Sequence, residues 1–310
     1  MVLSRIKPES AGLYAEDFAG EMPPELLRRV ERLSAANSLR FDRKGVNALT
    51  AQLAERHAYF FEPTKYYSTL LNANFDAVLI KNFLPPDASK VVCQAILLAF
   101  VSRMGTLSPH DTREDSLVWT MQARDEYAAE RRFKTFSEHS AEAALHTDSQ
   151  YRLKPENFLG FYVYRQARCG GGRTRLLGGE RLLTALLESS AGSRCVKTLS
   201  HAKISFLIPP IFVTDPKKSF VKAAIFGKTP FIRYRADTLQ PELIKGYSAG
   251  ERHEIIESLD FLRKRIENFS HTTEISLNDG DLLFINNHRK LHGRTAFEDK
   301  SRCLFRIRFN

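Results

Sequence analysis

Two short stretches of this 310-residue chain carry side chains suited to a metal ion. The first, Ala144-Leu-His-Thr-Asp-Ser-Gln150, places an imidazole and a carboxylate two residues apart. On an extended segment side chains alternate, so His146 and Asp148 face the same way and Thr147 the other. The second, "DGDLLFINNHRKLHGRTAF", supplies His288 and His292 as candidates for a third vertex. An iron centre on two histidines and one carboxylate keeps its opposite face open for a co-substrate and dioxygen. Zinc accepts the same set, so the ligand types alone do not fix the metal. By itself His-x-Asp is a weak pattern, equally satisfied by a hydrogen-bonded surface pair. A third stretch, "SRCLFRIRF", alternates: Arg302, Arg306 and Arg308 fall on one face, Cys303, Phe305, Ile307 and Phe309 on the other. Such a row of arginines is costly to bury without anions.

The rest of the chain must bring these stretches together. Residues 1–70 read as helical and connecting sequence: "PPELLRRVERLSAA" and "VNALTAQLAERHAYFF" are amphipathic candidates that would pack on one side of a sheet. "DAVLIKNFL" is strand-like and stopped by Pro85-Pro86, and "ASKVVCQAILLAFVSRMG" reads as a buried helix ending near Gly105. From His146 onward, strand candidates alternate with turn residues: "FLGFYVYRQ", "CVKTLS", "KISFLI", "VKAAIF", "PFIRYR", "TEISLNDGDLLFINN" and "RCLFRIRF". One helical insertion, about 249–269, interrupts them. This predicts a single domain, mostly β with flanking helices: a barrel or double-sheet jelly roll whose core strands, 144–310, carry the site. "CGGGRTRLLGG" has neither Walker nor dinucleotide-binding spacing.

Composition bounds the function. Hydrophobic residues make up 43% and charged residues 26%, ordinary for a soluble globular protein. No apolar stretch is long enough to span a bilayer, and the first residues lack the pattern of a secretory signal. Four scattered cysteines fit free thiols in a reduced, cytoplasmic setting. The net charge of +10 is dispersed among acids, as in "RRVERL", "RDEYAAERRFK" and "ERHEIIESLDFLRKRIE", which is the texture of solvated helix faces. A nucleic-acid track is therefore not expected.

With "LHTDSQY" early and "LFINNHRKLHGRTAF" late, the chain resembles the iron(II)/2-oxoglutarate-dependent oxygenases of the taurine dioxygenase and clavaminate synthase-like superfamily. The resemblance covers roughly residues 70–310 and is strongest over 144–175 and 279–308. It implies a double-stranded β-helix, with His146, Asp148 and His292 as ligands of Fe(II) and His288 outside the set. It implies 2-oxoglutarate and dioxygen as co-substrates, with succinate and carbon dioxide as co-products. Arg302 is implied as the principal clamp on the far carboxylate of 2-oxoglutarate, Arg306 as its competitor or helper, and Thr174 as a hydroxyl donor. Arg173 stands where relatives more often carry an acid. Arg308 reads as an edge charge.

Substrate contacts are less defined. Arg233 and Arg235, in "PFIRYRAD", alternate onto one strand face, either towards the cavity or on an outer surface. Trp119 and Met121 suit a substrate-covering segment or core packing alike. His110 and Asp111 lack a third partner, and His139, His201, His253 and His271 read as solvated or packed. Together these imply hydroxylation, desaturation or cyclisation of a small carboxylate-bearing metabolite, such as a free or carrier-bound amino acid or a natural-product intermediate. Asp148 also fills a position that is Gly or Ala in related halogenases, which favours oxygenation. The alternatives are a cupin-like metal-dependent hydrolase or isomerase on the same ligands, and a non-catalytic or nucleic-acid-binding relative.

Overall fold

A computed structural model of the chain describes residues 12–109, 116–123, 135–213, 215, 217–229, 231–240 and 245–310. His110, Asp111 and the charged stretch 124–134 lie outside them. In chain order the strands are β1 Leu13–Asp17, β2 Ala77–Lys81, β3 Leu107–Ser108, β4 Trp119–Met121, β5 Ala143–His146, β6 Phe158–Arg165 and β7 Thr174–Gly178. They continue with β8 Ile204–Leu207, β9 Phe220–Ala223, β10 Thr273–Ile275, β11 Leu282–Asn286, β12 Lys290–Arg294 and β13 Cys303–Phe309. The helices are α1 Pro24–Ala35, α2 Arg43–Arg56, α3 Ala58–Phe61, α4 Pro63–Thr69, α5 Lys90–Ser102, α6 Gly179–Leu187, α7 Ser190–His201 and α8 Ala249–Glu267.

Two sheets result. The larger runs β1-β2-β11-β6-β13-β3, with β4 also on β13; the smaller runs β10-β7-β12-β5. Period-2 alternation sorts their side chains. In the larger sheet Val78, Ile80, Leu282, Phe284, Tyr162, Phe305 and Ile307 face one way, into a core with α1–α5. The intervening Ala77, Leu79, Leu283, Ile285, Phe161 and Leu304 face the other way and meet Leu176 of the smaller sheet. From the smaller sheet, Leu145, Leu177 and Leu291 turn outward onto α6, α7, α8 and the β8–β9 hairpin. Both faces of each sheet are thus covered, and the space between them holds the site.

The helices form where the sequence caps them. Ser89 accepts from Val92 N at the start of α5, whose buried residues cover every face because it lies beneath the larger sheet. Ser248 and Glu251 form a capping box on α8. None of the described helices is long and apolar enough to cross a membrane. No cysteine is joined in a disulfide.

Three expectations are corrected. "CVKTLS" is the end of α7: Ser189 caps it through Gly192 N, and Cys195 and Leu199, four apart, are its buried residues. A six-residue window is too short to separate that spacing from alternation. The described residues of "PFIRYR", 231–235, form no strand, and an isolated bridge joins Phe226 to Ile232. The first 70 residues are not wholly helical, since β1 adds a parallel edge to β2.

Candidate active site

The site begins with strand register. His146 ends β5 and His292 lies in β12, and the two are directly opposed across the ladder. Their rings sit 4.4 Å apart, centroid to centroid. The close approach depends on Gly293, where a Cβ would stand 2.7 Å from the Ala143 carbonyl oxygen. Asp148 does not continue the strand, as simple alternation had suggested. It opens a turn, with Ser149 at φ 57°, and still brings Oδ1 to 3.5 Å from His146 Nε2. Strained backbone of this kind costs of order 1–3 kcal/mol and persists where its surroundings over-determine it. The ligand atoms of His146, Asp148 and His292 all lie within 4.8 Å of one another, and all three residues are buried.

The donor set fits a metal ion. His146 Nδ1 lies 2.8 Å from the Ala144 carbonyl, so that nitrogen donates and Nε2 keeps its lone pair. His292 Nδ1 is buried without a hydrogen-bond partner among the described residues. Burial, then the neighbouring His146, hold the His292 imidazole well below its ordinary pKa, hence neutral as a ligand must be. Burial alone would raise the Asp148 carboxyl. The charge of Arg306, the hydrogen bond with His146 and the charge of Arg308 outweigh it and keep the carboxylate ionised.

A shell of contacts fixes the Asp148 turn. Asn287 Oδ1 accepts from Asp148 N at 2.7 Å, while Nδ2 donates to the carbonyls of Asp148 (3.1 Å) and Glu156 (2.9 Å). Thr147 N donates to Tyr234 O at 2.7 Å. Sequence reading missed Asn287, although it sits inside "INNHRK"; its three partners are 131 or more residues away. Asn287→Ala strands those buried backbone groups, each costing about 1–3 kcal/mol. Metal affinity is expected to fall roughly 10–100-fold, as for other groups that orient a ligand. Urea denaturation and a competitive metal titration check both; unchanged affinity would mean that the Thr147–Tyr234 contact suffices.

The three ligands open onto a cavity between the two sheets. Phe161, Leu283, Ile285 and Leu304 supply apolar wall, and Thr174, Arg235, Arg294, Arg302, Arg306 and Arg308 supply polar groups. The β13 alternation places Arg306 and Arg308 on the cavity side and Cys303, Phe305, Ile307 and Phe309 in the helical core. Arg306 Nη1 donates to Asp148 Oδ2 at 2.8 Å, with Arg308 Nη2 at 3.6 Å. Arg308 is therefore not an edge charge: it is only 2% exposed, and β3 pairs with β13 at this residue, so β13 is not the sheet edge there. Arg302 Nε donates to Gln166 Oε1, its guanidinium lies over Phe297, and it passes Gly172, where a Cβ would meet Nε at 2.9 Å. No carboxylate stands beside Arg302 among the described residues, and burial, then Arg294, lower its pKa to about 9. Arg294 donates to the carbonyls of Phe136, His139 and Ala141.

The remaining expected residues divide. Arg235 lines the cavity over the Phe136 ring and forms a two-point pair with Asp237. Arg233 turns elsewhere and donates to the carbonyls of Gln150, Arg152 and Leu153, so the segment does not present both arginines to one cavity face. Trp119 and Met121 line the cavity from β4. His288 bonds the Pro155 carbonyl outside the ligand set. Arg173 pairs with Glu274 at the surface.

Residues 195–308 match the family described as taurine catabolism dioxygenase TauD, TfdA. That range holds His292 and the β13 arginines but not His146 or Asp148, which the fold supplies. Among solved structures, asparagine oxygenase (AsnO) is similar at a TM-score of 0.70 and 17% identity, covering 96% of this chain and 92% of that one. The same enzyme with Fe(II), 2S,3S-3-hydroxyasparagine and succinate aligns at 0.66 and 16%, covering 93% and 92%. The non-heme iron oxygenase OrfP with Fe and alpha-ketoglutaric acid aligns at 0.66 and 15%, covering 96% and 94%. No match was found among curated protein sequences. Identities this low speak to the fold, which is that of the double-stranded β-helix oxygenases. The chain thus combines the fold of these oxygenases, a TauD-family match over residues 195–308 and a buried His–Asp–His set suited to a metal ion.

Proposed function

We propose that the chain is an iron(II)- and 2-oxoglutarate-dependent oxygenase acting on an unactivated C–H bond of a small carboxylate-bearing metabolite. The observation that carries this reading is a buried two-histidine, one-carboxylate set sharing a cavity with Arg302, a buried cation that has no carboxylate beside it among the described residues. When bound, iron with 2-oxoglutarate and dioxygen supplies the oxidising chemistry, with succinate and carbon dioxide as co-products.

The chain's own residues position and exclude. His146, Asp148 and His292 hold the metal. Arg306 engages Asp148 Oδ2, which directs the other oxygen towards His146 and the metal position. Arg302 and Thr174, on adjoining walls, receive the far carboxylate of 2-oxoglutarate. The choice of Arg302 over Arg306 follows from charge: Arg306 already has a carboxylate partner and Arg302 does not. Phe161, Leu283, Ile285 and Leu304 keep bulk water from the reacting face. The solved relatives hold 3-hydroxyasparagine and (3S)-hydroxy-L-Arg, which supports a free or carrier-presented amino acid as substrate. Trp119 and Arg235 are the favoured substrate contacts; Arg233 acts on the 150–153 backbone instead.

The test is the co-substrate requirement. In air, Fe(II) and 2-oxoglutarate should give slow succinate release, accelerated by candidate amino acids and abolished by zinc substitution or argon. A hydrolase or isomerase on these ligands would work under argon with zinc, and that result would overturn the proposal.

A further inference from the structure

We propose that the primary substrate carries an aromatic ring, received against Trp119, Phe136, Tyr151 and Phe212; this rests on the oxygenase reading above and narrows its substrate. Four segments far apart in sequence each deliver one of these rings to the cavity wall. Trp119 comes from β4, directly opposite Arg306 in the ladder. Phe136 lies edge-on to the ring of His146, with centroids 4.7 Å apart at 61°. Tyr151 and Phe212 stack at 5.2 Å and 11°. Trp119, Phe136 and Phe212 are half-buried, so each leaves apolar ring surface uncovered in the cavity that holds the metal ligands. Covering such surface favours a ligand, and aromatic pairs gain beyond the area they bury.

Two arginines fix the rings through the backbone. Arg233 donates to the carbonyls of Gln150 (3.1 Å) and Arg152 (2.9 Å), which flank Tyr151 in the chain. Arg294 donates to the carbonyls of Phe136, His139 and Ala141, and Phe297 N donates to Ser140 O, which pins the segment carrying Phe136. A third, Arg235, lies over the Phe136 ring at 4.3 Å and pairs with Asp237. Charge decides which ligands suit these rings. Aromatic walls can also hold cations. Here, however, the described lining residues include five arginines and one carboxylate, Asp148, which belongs to the metal set and bonds Arg306. A cationic side chain would meet repulsion and no open carboxylate among those residues. A neutral ring meets neither cost.

Trp119 is the only tryptophan in the chain and lines the same cavity, which gives a binding signal independent of turnover. Protein loaded with Mn(II) and saturating 2-oxoglutarate would be titrated with L-phenylalanine, L-leucine, L-alanine and L-arginine. The N-acetyl amide of each forms a second series, so that the answer does not hinge on a free ammonium or carboxylate. In at least one series phenylalanine should bind about threefold to tenfold tighter than leucine, the added gain of an aromatic pair. Its margin over alanine should be roughly tenfold to a hundredfold. Arginine should bind no better than alanine. Phe212→Ala should bring phenylalanine to within about twofold of leucine, whereas Tyr151→Phe, which keeps the ring, should preserve the margin. Phe136→Leu repeats the test should Phe212→Ala not fold. Arginine or leucine matching phenylalanine in both series overturns the inference. So does a margin undiminished in both Phe212→Ala and Phe136→Leu, or no saturable response to either phenylalanine compound. Wild-type protein that binds no 2-oxoglutarate in equilibrium dialysis would instead sink the oxygenase reading.

Discussion

Asp148→Ala is expected to abolish succinate release and to lower iron affinity at least ~100-fold, since losing a group that merely orients a ligand already costs 10–100-fold. A second effect comes from the metal-free protein. Asp148 Oδ2 lies 2.8 Å from Arg306 Nη1 and 3.6 Å from Arg308 Nη2, with all three side chains buried. Removing one partner of a buried pair leaves uncompensated charge and costs about 3–5 kcal/mol. The variant should therefore be less stable even before metal is added, which urea denaturation of chelator-treated protein measures. Asp148→Asn preserves shape and removes only the charge. The folded carboxyl is held below its unfolded pKa, so its contribution is present above the unfolded carboxylate range and lost as pH falls through the folded value. Asp148→Asn should accordingly flatten the acid limb of the stability profile. Wild-type stability and stoichiometric iron in Asp148→Ala would contradict the assignment.

Arg302→Gln should raise the 2-oxoglutarate Kd by ~30-fold to above 1000-fold, the equivalent of the 2–5 kcal/mol lost when a buried, hydrogen-bonded charge pair is truncated. Saturating 2-oxoglutarate should restore much of kcat, because the metal ligands are untouched. The metal-free variant should be as stable as the wild type or more so, as a buried cation with no carboxylate beside it among the described residues is removed. Arg306→Gln should behave oppositely: modest change in 2-oxoglutarate affinity, but poorer iron retention and lower stability, through Asp148. Isothermal titration with 2-oxoglutarate on the Mn(II) forms separates the two. If Arg306→Gln loses 2-oxoglutarate and Arg302→Gln does not, their roles are exchanged.

Much of this arrangement was legible because strands broadcast their faces. "SRCLFRIRF" alternates, and that alternation alone put arginines on one side and apolar residues on the other, as β13 does. The opposed positions of His146 and His292 could be expected only through resemblance, since register between β5 and β12 is a long-range fact. What stayed hidden is equally physical. That β13 is no sheet edge at Arg308 depends on β3, a two-residue strand with no sequence signature. Asn287 acts through backbone atoms of a distant turn, and that turn departs from the strand through a left-handed serine. The sorting of Arg233 from Arg235 required knowing that "PFIRYR" does not pair as a strand. Short windows report period, not partners.

The most direct measurement is an anaerobic titration of the metal-free protein with Fe(II) and then 2-oxoglutarate, followed by visible absorption. One iron per chain and a weak charge-transfer band that appears only when both are present are the expected results, with the band lost in His292→Ala. Tight 2-oxoglutarate binding with no such band, or an undiminished band in His292→Ala, would contradict an iron centre built from His146, Asp148 and His292.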